Sequence, residues 1–295
     1  MSRVLVNGPA SWNTLVAVEE LPEARSHTVF ARGHRRGLGG TSAGKALTLA
    51  ALGVDVTLAT VLGDDEPGAL VRAALARRGL TLLTSPAPVT EQHLNLMADD
   101  GSRLSVYLEL PAAPPAPAPG VLDALRTADA AVLDLAESSR PLLERARAAG
   151  VPVWCDVHDD DGSGSYPRAF VQAADVLVVS EDGPPDPRAY LRAAVDAGTA
   201  LAVCTRGARG ALALDADGWW EVDAAPATVV DTNGAGDAFV AGLLAATLAG
   251  RPRGEALRHA AAAGALAVST PDLGAPDVTA ADVAALAGRV RLRRP

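Results

Sequence analysis

The sequence predicts an α/β domain in which a mostly parallel sheet is covered by helices on both faces. Short β-branched runs alternate along the chain with longer stretches rich in Ala and Leu. The short runs are apolar almost throughout, as in strands that are buried on both faces. With 295 residues the chain is long enough for one large α/β domain, and residues 1–295 are predicted to form a single domain.

Each element is predicted from its own stretch of sequence. Seven short apolar runs are predicted as strands: Val4–Asn7, Val54–Val61, Ala130–Leu135, Pro152–Asp156, Val176–Ser180, Leu201–Thr205 and Ala211–Leu214. Six longer Ala- and Leu-rich stretches are predicted as helices: Ser42–Leu52, Gly68–Arg78, Arg140–Ala149, Pro187–Ala197, Ala235–Ala249 and Gly254–Val268. Because ligands of such sheets bind beyond the carboxyl ends of the strands, the residues there are the first candidates for function.

Two segments, at about residues 14–35 and 90–110, interrupt the βα alternation. The second alternates polar and apolar residues on either side of a turn-like Asp99–Ser102, which predicts a hairpin. A proline-rich stretch, Pro111–Pro119, then predicts a stiff extended connector. The two segments predict a small β lid over a site, although the periodicity fits an ordinary surface hairpin equally well.

Composition narrows the class of function. The formal net charge is -9, which argues against nucleic acid or an anionic membrane as the main partner. No apolar stretch approaches the length of a membrane span, and the N-terminus lacks the apolar region of a signal peptide. The cytoplasm is therefore the expected compartment. Cys155 and Cys204 each sit in an apolar run and are expected to be buried thiols rather than a disulfide or metal site.

The strongest motif joins a β-branched run to a helix through Asp231–Asp237. Gly234 and Gly236 remove side chains at the predicted start of that helix, where free N–H groups and the helix dipole favour an anion. A carboxylate beside a phosphate would repel it unless the carboxylate had a task, such as accepting a proton from an attacking hydroxyl. Asp237 is therefore a candidate general base. The alternative is a tight turn whose Asp237 only complements the helix dipole.

Two other glycine-rich turns are candidates for ligand contact. Thr205, Gly207 and Gly210 lie between two predicted strands, where backbone could approach a nucleotide, although a plain turn explains them as well. Gly39–Ala46 nearly matches a Walker A motif, but Ala46 replaces the hydroxyl residue and no apolar strand precedes it. Lys45, the only lysine in the chain, could contact an anionic or hydroxylated substrate there, or could be a solvated residue near a helix end.

Acidic residues follow two of the predicted strands. Gly63–Gly68 is a turn whose acids suit the start of a helix. Cys155–Asp161 holds one His among several acids, for which a solvated loop is a better interpretation than a metal site.

With these motifs in order, the chain resembles the ribokinase-like (PfkB) family of carbohydrate kinases from Val4 to about Gly274. The resemblance is carried by four segments: Gly39–Gly40 opening a helix, Gly63–Gly68, Thr205–Gly210 and Asp231–Asp237. It implies a doubly wound α/β fold with a β lid and an ATP- and Mg²⁺-dependent kinase. The resemblance also implies that Asp237 is the catalytic base and that the anion hole is formed by Gly234, Ala235 and Gly236. The residues that it implies for nucleotide binding are Thr205, Gly207, Gly210, Asp231 and Thr232. A monovalent cation such as K⁺ is implied near Asp231.

The residues expected to bind the phosphoryl acceptor, the molecule that is phosphorylated, depart from the family pattern. Asn13 stands where an Asp often holds substrate hydroxyls, and Gly44 followed by Lys45 stands where the helix usually offers an Asn. With Gly39 and Gly40, these three residues are the predicted acceptor site. Ser180–Gly183 replaces the family's Asn-x-x-Glu, so Glu181 or Asp182 is predicted to help hold Mg²⁺.

The predicted function is ATP-dependent phosphorylation of a hydroxyl on a sugar or sugar-like small molecule. A nucleoside kinase of the same family, a non-catalytic ligand-binding protein on a kinase scaffold, and a P-loop phosphotransferase built on Lys45 remain as rivals. The open strand edges of the lid also predict a possible homodimer.

Overall fold

The computed structural model describes all residues, 1–295, and contains two β-sheets. The strands are, in chain order, β1 (Arg3–Asn7), β2 (Ser11–Val18), β3 (Gly33–Gly39), β4 (Asp55–Gly63), β5 (Thr81–Ala87), β6 (Gln92–Ala98), β7 (Arg103–Glu109), β8 (Ala130–Leu133), β9 (Val153–Asp156), β10 (Val176–Ser180), β11 (Leu201–Thr205), β12 (Ala211–Asp215), β13 (Gly218–Val222) and β14 (Leu292–Arg293). The helices are α1 (Thr41–Ala51), α2 (Glu66–Leu75), α3 (Val121–Thr127), α4 (Arg140–Ala149), α5 (Arg168–Ala173), α6 (Pro187–Asp196), α7 (Ala235–Leu248), α8 (Arg253–Ala267) and α9 (Ala280–Ala287).

The main sheet has ten strands in the order β14-β13-β12-β11-β10-β9-β8-β1-β4-β5. The seven strands from β11 to β5 run parallel, and β12, β13 and β14 extend the sheet antiparallel. The chain leaves β1 toward β4 and β5 and later returns to β8 on the other side of β1. The strand order therefore reverses between β1 and β8, and the carboxyl ends there border the crevice in which doubly wound folds bind ligands.

Helices cover both faces of this sheet. Along β1, Val4 and Val6 point into one core and Leu5 into the other, because successive side chains of a strand alternate between faces. Helices α1, α2, α7 and α8 pack on the first face and α3 to α6 on the second. This confirms the predicted doubly wound, mostly parallel α/β fold.

The second sheet has four strands in the order β3-β2-β6-β7. The hairpin β6-β7 turns at Asp99–Ser102, and β2 pairs parallel with β6 and antiparallel with β3. β7 is an edge strand and is exposed along its whole length. The proline-rich stretch that follows, Pro111–Pro119, contains no helix or strand.

Several elements differ from the predicted pattern. The polar strand β3, which includes Arg35 and Arg36, directly precedes α1, where no apolar strand was expected. Its first six residues are exposed or half-buried, so backbone pairing with β2 rather than burial makes it a strand. Strands β5 and β13 and helices α3, α5 and α9 were not predicted, because they are short or half-buried and carry weak apolar periodicity. Both cysteines are free and buried as expected, and no helix has the length and apolarity required to cross a membrane.

Candidate active site

The first turn of α7 forms the centre of the site. Gly234 caps this helix with φ +80°, a left-handed conformation that favours glycine. A Cβ atom there would also lie 2.8 Å from the Gly274 nitrogen. Gly236 is exposed and has open space where a side chain would be. At Gly236 the backbone, rather than a side chain, is therefore exposed.

Most N–H groups of this turn have no acceptor within the protein. Only the amide of Ala235 donates within the protein, to the Thr232 carbonyl at a long 3.3 Å. The amides of Gly234, Gly236 and Asp237 have no protein acceptor. Unpaired N–H groups at a helix N-terminus, together with the helix dipole, form an anion-binding site.

Asp237 lies beside these amides with 12% of its side chain exposed. Its Oδ1 accepts hydrogen bonds from Lys45 Nζ, 3.1 Å away, and from the Thr41 hydroxyl. Its Oδ2 makes no hydrogen bond within the protein and keeps some exposure to solvent. Burial raises the pKa of the Asp237 carboxyl above its ordinary value, while the nearby Lys45 ammonium and the Thr41 hydroxyl act in the opposite direction.

Lys45 is completely buried and is surrounded by carboxylates. Its Nζ lies 2.9 Å from Asp134 Oδ1 and 3.0 Å from Asp156 Oδ2, in addition to its contact with Asp237. Asp134 and Asp156 stand at the carboxyl ends of β8 and β9, neighbouring strands of the parallel sheet. The interpretation of Lys45 as a solvated residue is therefore wrong.

The carboxylates Asp134 and Asp156 were not identified from the sequence. The sequence favours a solvated loop for the Cys155–Asp161 segment, yet only 9% of the Asp156 side chain is exposed. Burial alone would raise the pKa of Asp156, but Lys45 and His158 nearby hold it at about 2. One signal could have found both residues, since each is an Asp at the end of a buried strand, and such ends meet at one edge of a parallel sheet.

The residues predicted to bind the phosphoryl acceptor lie where the four-stranded sheet meets α1. Gly40 caps α1 with φ +94°, and a Cβ atom there would lie 2.4 Å from the Pro9 carbonyl oxygen. A Cβ atom on Gly39 would collide with the Asn13 amide, so Gly39 makes room for Asn13 on β2. Asn13 is buried and its Oδ1 accepts from the His93 amide at 3.2 Å. The structure thus groups Asn13, Gly39 and Gly40, while Gly44 and Lys45 face Asp237 instead.

The predicted nucleotide turn connects β11 to β12. Gly207 has φ +52° and open space around it, whereas Gly210 lies so close to the Val222 carbonyl that a Cβ atom would be 2.0 Å away. Packing against β13 thus accounts for Gly210. A cleft of ≈ 400 Å³ lies against this turn, and its lining includes Glu181, Arg206 and Arg209.

The carboxylates predicted for cations already have partners. Glu181 pairs with Arg209, and Ser180 Oγ donates to Asp182 Oδ2 at 3.1 Å. No group of three or more His, Cys, Asp or Glu residues is arranged to hold a metal ion. Asp231 accepts from the Asn233 amide at 2.8 Å and from the Arg35 guanidinium of β3.

Comparison with known proteins decides the family. Residues 1–280 match the model of the pfkB family carbohydrate kinases. The chain belongs to the PfkB family of carbohydrate kinases. It is 36% identical to an acarbose 7(IV)-phosphotransferase of Actinoplanes sp. over 91% of this chain and 92% of that one. It is 31% identical to an ATP-dependent ribose-1-phosphate kinase of Halopiger xanaduensis over 90% of this chain and 92% of that one.

A solved structure extends the likeness to the whole fold. A microbiome-derived acarbose kinase superimposes on this kinase with a TM-score of 0.86 and 27% identity, covering 98% of this chain and 99% of that one. Family membership and these relatives support ATP-dependent phosphorylation of a sugar hydroxyl. The P-loop alternative has no support, because the Lys45 ammonium is enclosed by carboxylates and cannot reach a phosphate.

Proposed function

We propose that Asp237 is the general base of this sugar kinase. Its free Oδ2 accepts the proton of the acceptor hydroxyl as the hydroxyl oxygen attacks the γ-phosphorus of ATP. The γ-phosphorus to bridging-oxygen bond breaks, and ADP leaves with that electron pair. The unpaired amides of Gly234, Gly236 and Asp237 face the developing charge on the phosphoryl oxygens. The observation that carries this proposal is that backbone amides without a protein acceptor lie beside the Asp237 carboxylate, whose Oδ2 makes no hydrogen bond.

The second sheet, β3-β2-β6-β7, is proposed to act as a lid. It borders the predicted acceptor residues Asn13, Gly39 and Gly40, which lie near the start of α1. Two arginines of the lid, Arg35 and Arg103, donate to Asp231 and Asn233 in the catalytic motif. A lid tied to the motif excludes water that would otherwise be phosphorylated in place of the acceptor.

The nucleotide is proposed to bind along Thr205 and Gly207, with its phosphates directed toward α7. Carboxylates are the donor type that Mg²⁺ prefers when phosphates supply its other ligands, and Glu181 and Asp182 follow the carboxyl end of β10. Asp182 would hold the ion with its oxygen that the Ser180 hydroxyl does not contact, whereas Glu181 would first have to release Arg209. Mg²⁺ held there would neutralise charge on the transferred phosphoryl group. A K⁺ ion beside Asp231 would have to displace the Arg35 guanidinium, so the Asp231 carboxylate does not fit that ion in this arrangement.

The acceptor is proposed to be acarbose or a related carbohydrate, since two relatives act on acarbose according to their names. The test is ATP consumption with acarbose, ribose, ribose 1-phosphate and a set of nucleosides, followed by isolation of the phosphorylated product. We expect turnover with acarbose and none with nucleosides. Turnover with nucleosides alone would establish the nucleoside-kinase alternative, and binding of acarbose without turnover would favour a non-catalytic protein.

A homodimer through the lid is also proposed. The edge strand β7 exposes Leu104, Val106 and Leu108 along one face, and an open apolar edge can pair with a second copy. Light scattering at several concentrations tests this, with Val106→Lys as the disrupting variant. The cytoplasm remains the predicted compartment.

A further inference from the structure

Lys45 links four elements of the fold through one ammonium group. The residue belongs to α1, and its Nζ lies within 3.1 Å of carboxylate oxygens at the ends of β8 and β9 and in the first turn of α7. Neither Lys45 nor Asp134 is exposed at all, so the ammonium lies at the closed end of the cluster. Asp237 is the most exposed member of the cluster, with 12% of its side chain exposed against 9% for Asp156.

The two oxygens of Asp237 have different surroundings. Oδ1 is held by Lys45 and by the Thr41 hydroxyl, which itself accepts from Lys45 Nζ. Oδ2 has no hydrogen-bond partner within the protein and keeps some exposure to solvent. Hydrogen bonds from an ammonium and a hydroxyl to Oδ1 fix the rotation of the carboxylate and leave Oδ2 free to accept a proton. This is the orientation that a general base requires.

Because other carboxylates surround Asp237, the Lys45 ammonium is needed to keep the Asp237 carboxylate ionised. The groups that face it are Lys45 and Thr41 from α1, Asp156 with His158 from β9 and the turn after it, and Asp134 from β8 behind Lys45. Three carboxylates share the single buried ammonium, so its removal would leave only negative charge in a desolvated site. A buried carboxyl beside other carboxylates takes up a proton, and a protonated Asp237 could not act as a base.

We propose that Lys45 is a positioning residue for phosphoryl transfer, holding Asp237 ionised and aimed so that Oδ2 meets the acceptor hydroxyl. This role rests on the proposed function of Asp237 and replaces the direct acceptor contact predicted for Lys45. The ammonium is suited to it, because the surrounding carboxylates raise the pKa of Lys45 well above its ordinary value despite burial, which by itself lowers it.

The competing explanation is that Lys45 only fastens the elements together. A substitution of Lys45 alone does not separate the two roles, because an uncompensated carboxylate cluster destabilises the fold under either one. The double variant Lys45→Met/Asp134→Asn does separate them. It removes one positive and one negative charge, so the cluster keeps its net charge of -2 (three carboxylates and one ammonium before, two carboxylates after).

The experiment compares the native enzyme, Asp134→Asn and the double variant in two measurements. Carboxyl ¹³C NMR titration, with the Asp237 signal assigned by its loss in Asp237→Asn, reports the pKa of Asp237 without any acceptor. The pH dependence of kcat/KM with acarbose reports catalysis. Because an opposite charge at this distance lowers a carboxyl pKa by about 1–3 units, we expect the Asp237 pKa to rise by that amount in the folded double variant only. In the double variant the acid limb of the pH profile of kcat/KM should move to higher pH by the same amount. In Asp134→Asn the acid limb should stay at the pH of the native enzyme.

An unchanged Asp237 pKa in the folded double variant would overturn the proposal, as would a raised pKa that leaves the rate profile unmoved. A different result would show that Asp237 is not the general base. In that case Asp237→Asn would phosphorylate the acceptor normally, whatever the NMR titration shows about the coupling between Lys45 and Asp237.

Discussion

Gly44 of α1 lies directly against the carboxylate of Asp237. A Cβ atom on Gly44 would be 2.9 Å from Asp237 Oδ2 and 3.1 Å from its Cβ. The family's usual Asn at this place would therefore collide with the proposed base in this chain. The position of the Asp237 carboxylate is therefore set by two neighbours in α1: Gly44, which has no side chain, and the ammonium of Lys45.

Substituting Gly44 tests this relationship. Gly→Ala inside a helix ordinarily stabilises it by about 1 kcal/mol, but at Gly44 the added carbon would push Asp237 out of position. We expect Gly44→Ala to lower kcat by at least about tenfold, and Gly44→Asn to lower it further, because a shift of about 1 Å in a catalytic group can cost 10²-fold. Gly288→Ala is the control, since a Cβ there meets its nearest neighbour at 3.6 Å. Native kcat in Gly44→Ala would contradict the account.

Gly236→Ala tests the anion site in the opposite way. Nothing lies within 4 Å of a Cβ atom on Gly236, and its φ is not in the left-handed region, so alanine fits the fold without strain. The methyl group would project into the space proposed for the phosphoryl group. We expect an unchanged Tm and a kcat lowered by about 10²-fold, because the methyl group would keep the phosphoryl oxygens away from the Gly236 amide and so remove the contact with one oxyanion donor. A variant that unfolds at lower temperature but turns over normally would contradict this placement.

Asp156 should make the free energy of unfolding depend on pH. Its pKa is lowered from 3.8 to about 2 in the folded protein. A lowered carboxyl pKa stabilises the fold above the unfolded value, and that stabilisation is lost as the pH falls from about 4 through 2. The shift corresponds to about 2 kcal/mol. The destabilisation caused by Asp156→Asn, measured by urea unfolding, should therefore shrink by about that amount between pH 6 and pH 2.

The control for this titration is Asp196→Asn, which removes an exposed carboxylate at the end of α6. We expect this variant to change the free energy of unfolding little at either pH. A destabilisation by Asp156→Asn that is equal at both pH values would mean that the Asp156 carboxylate does not interact with Lys45 as the structure shows.

Arg35 should limit wasteful hydrolysis of ATP. Its guanidinium, on β3, donates to Asp231 and ties the proposed lid to the proposed phosphoryl site. Arg35→Met should loosen the lid and raise acceptor-independent ATP hydrolysis relative to phosphoryl transfer. An ion pair of about 1 kcal/mol corresponds to a change of up to about fivefold. Arg36→Met is the control, because the neighbouring Arg36 is exposed and forms no ion pair. Equal ratios in the two variants would contradict this role.

The start of α7 was predictable because its signals are local. A β-branched run, glycines that permit a left-handed cap and a long apolar helix are all contiguous, and the structure places the cap at Gly234 and the helix at Ala235–Leu248. The same holds for the buried parallel strands, whose apolar runs identify them without tertiary information. Strand β3 was not predictable from burial, because its polar side chains face solvent and only its pairing with β2 makes it a strand.

The environment of Lys45 could not be predicted from local sequence. Asp134 and Asp156 are 89 and 111 residues away along the chain, and only the order of strands β8 and β9 beside β1 brings them under α1. A lone lysine next to a glycine at a helix start gives no direction for its side chain. That direction is set by the packing of α1 against α7, which Gly44 permits.

The most direct test of the account is the turnover of Asp237→Asn. The amide has nearly the same shape as the carboxylate but cannot accept the hydroxyl proton as a base, and general-base catalysis contributes about 10²- to 10⁴-fold. We predict a loss of kcat in that range with acarbose as acceptor, while ATP binding by calorimetry and the Tm change little. Phosphorylation at a near-native rate by Asp237→Asn would contradict the central claim.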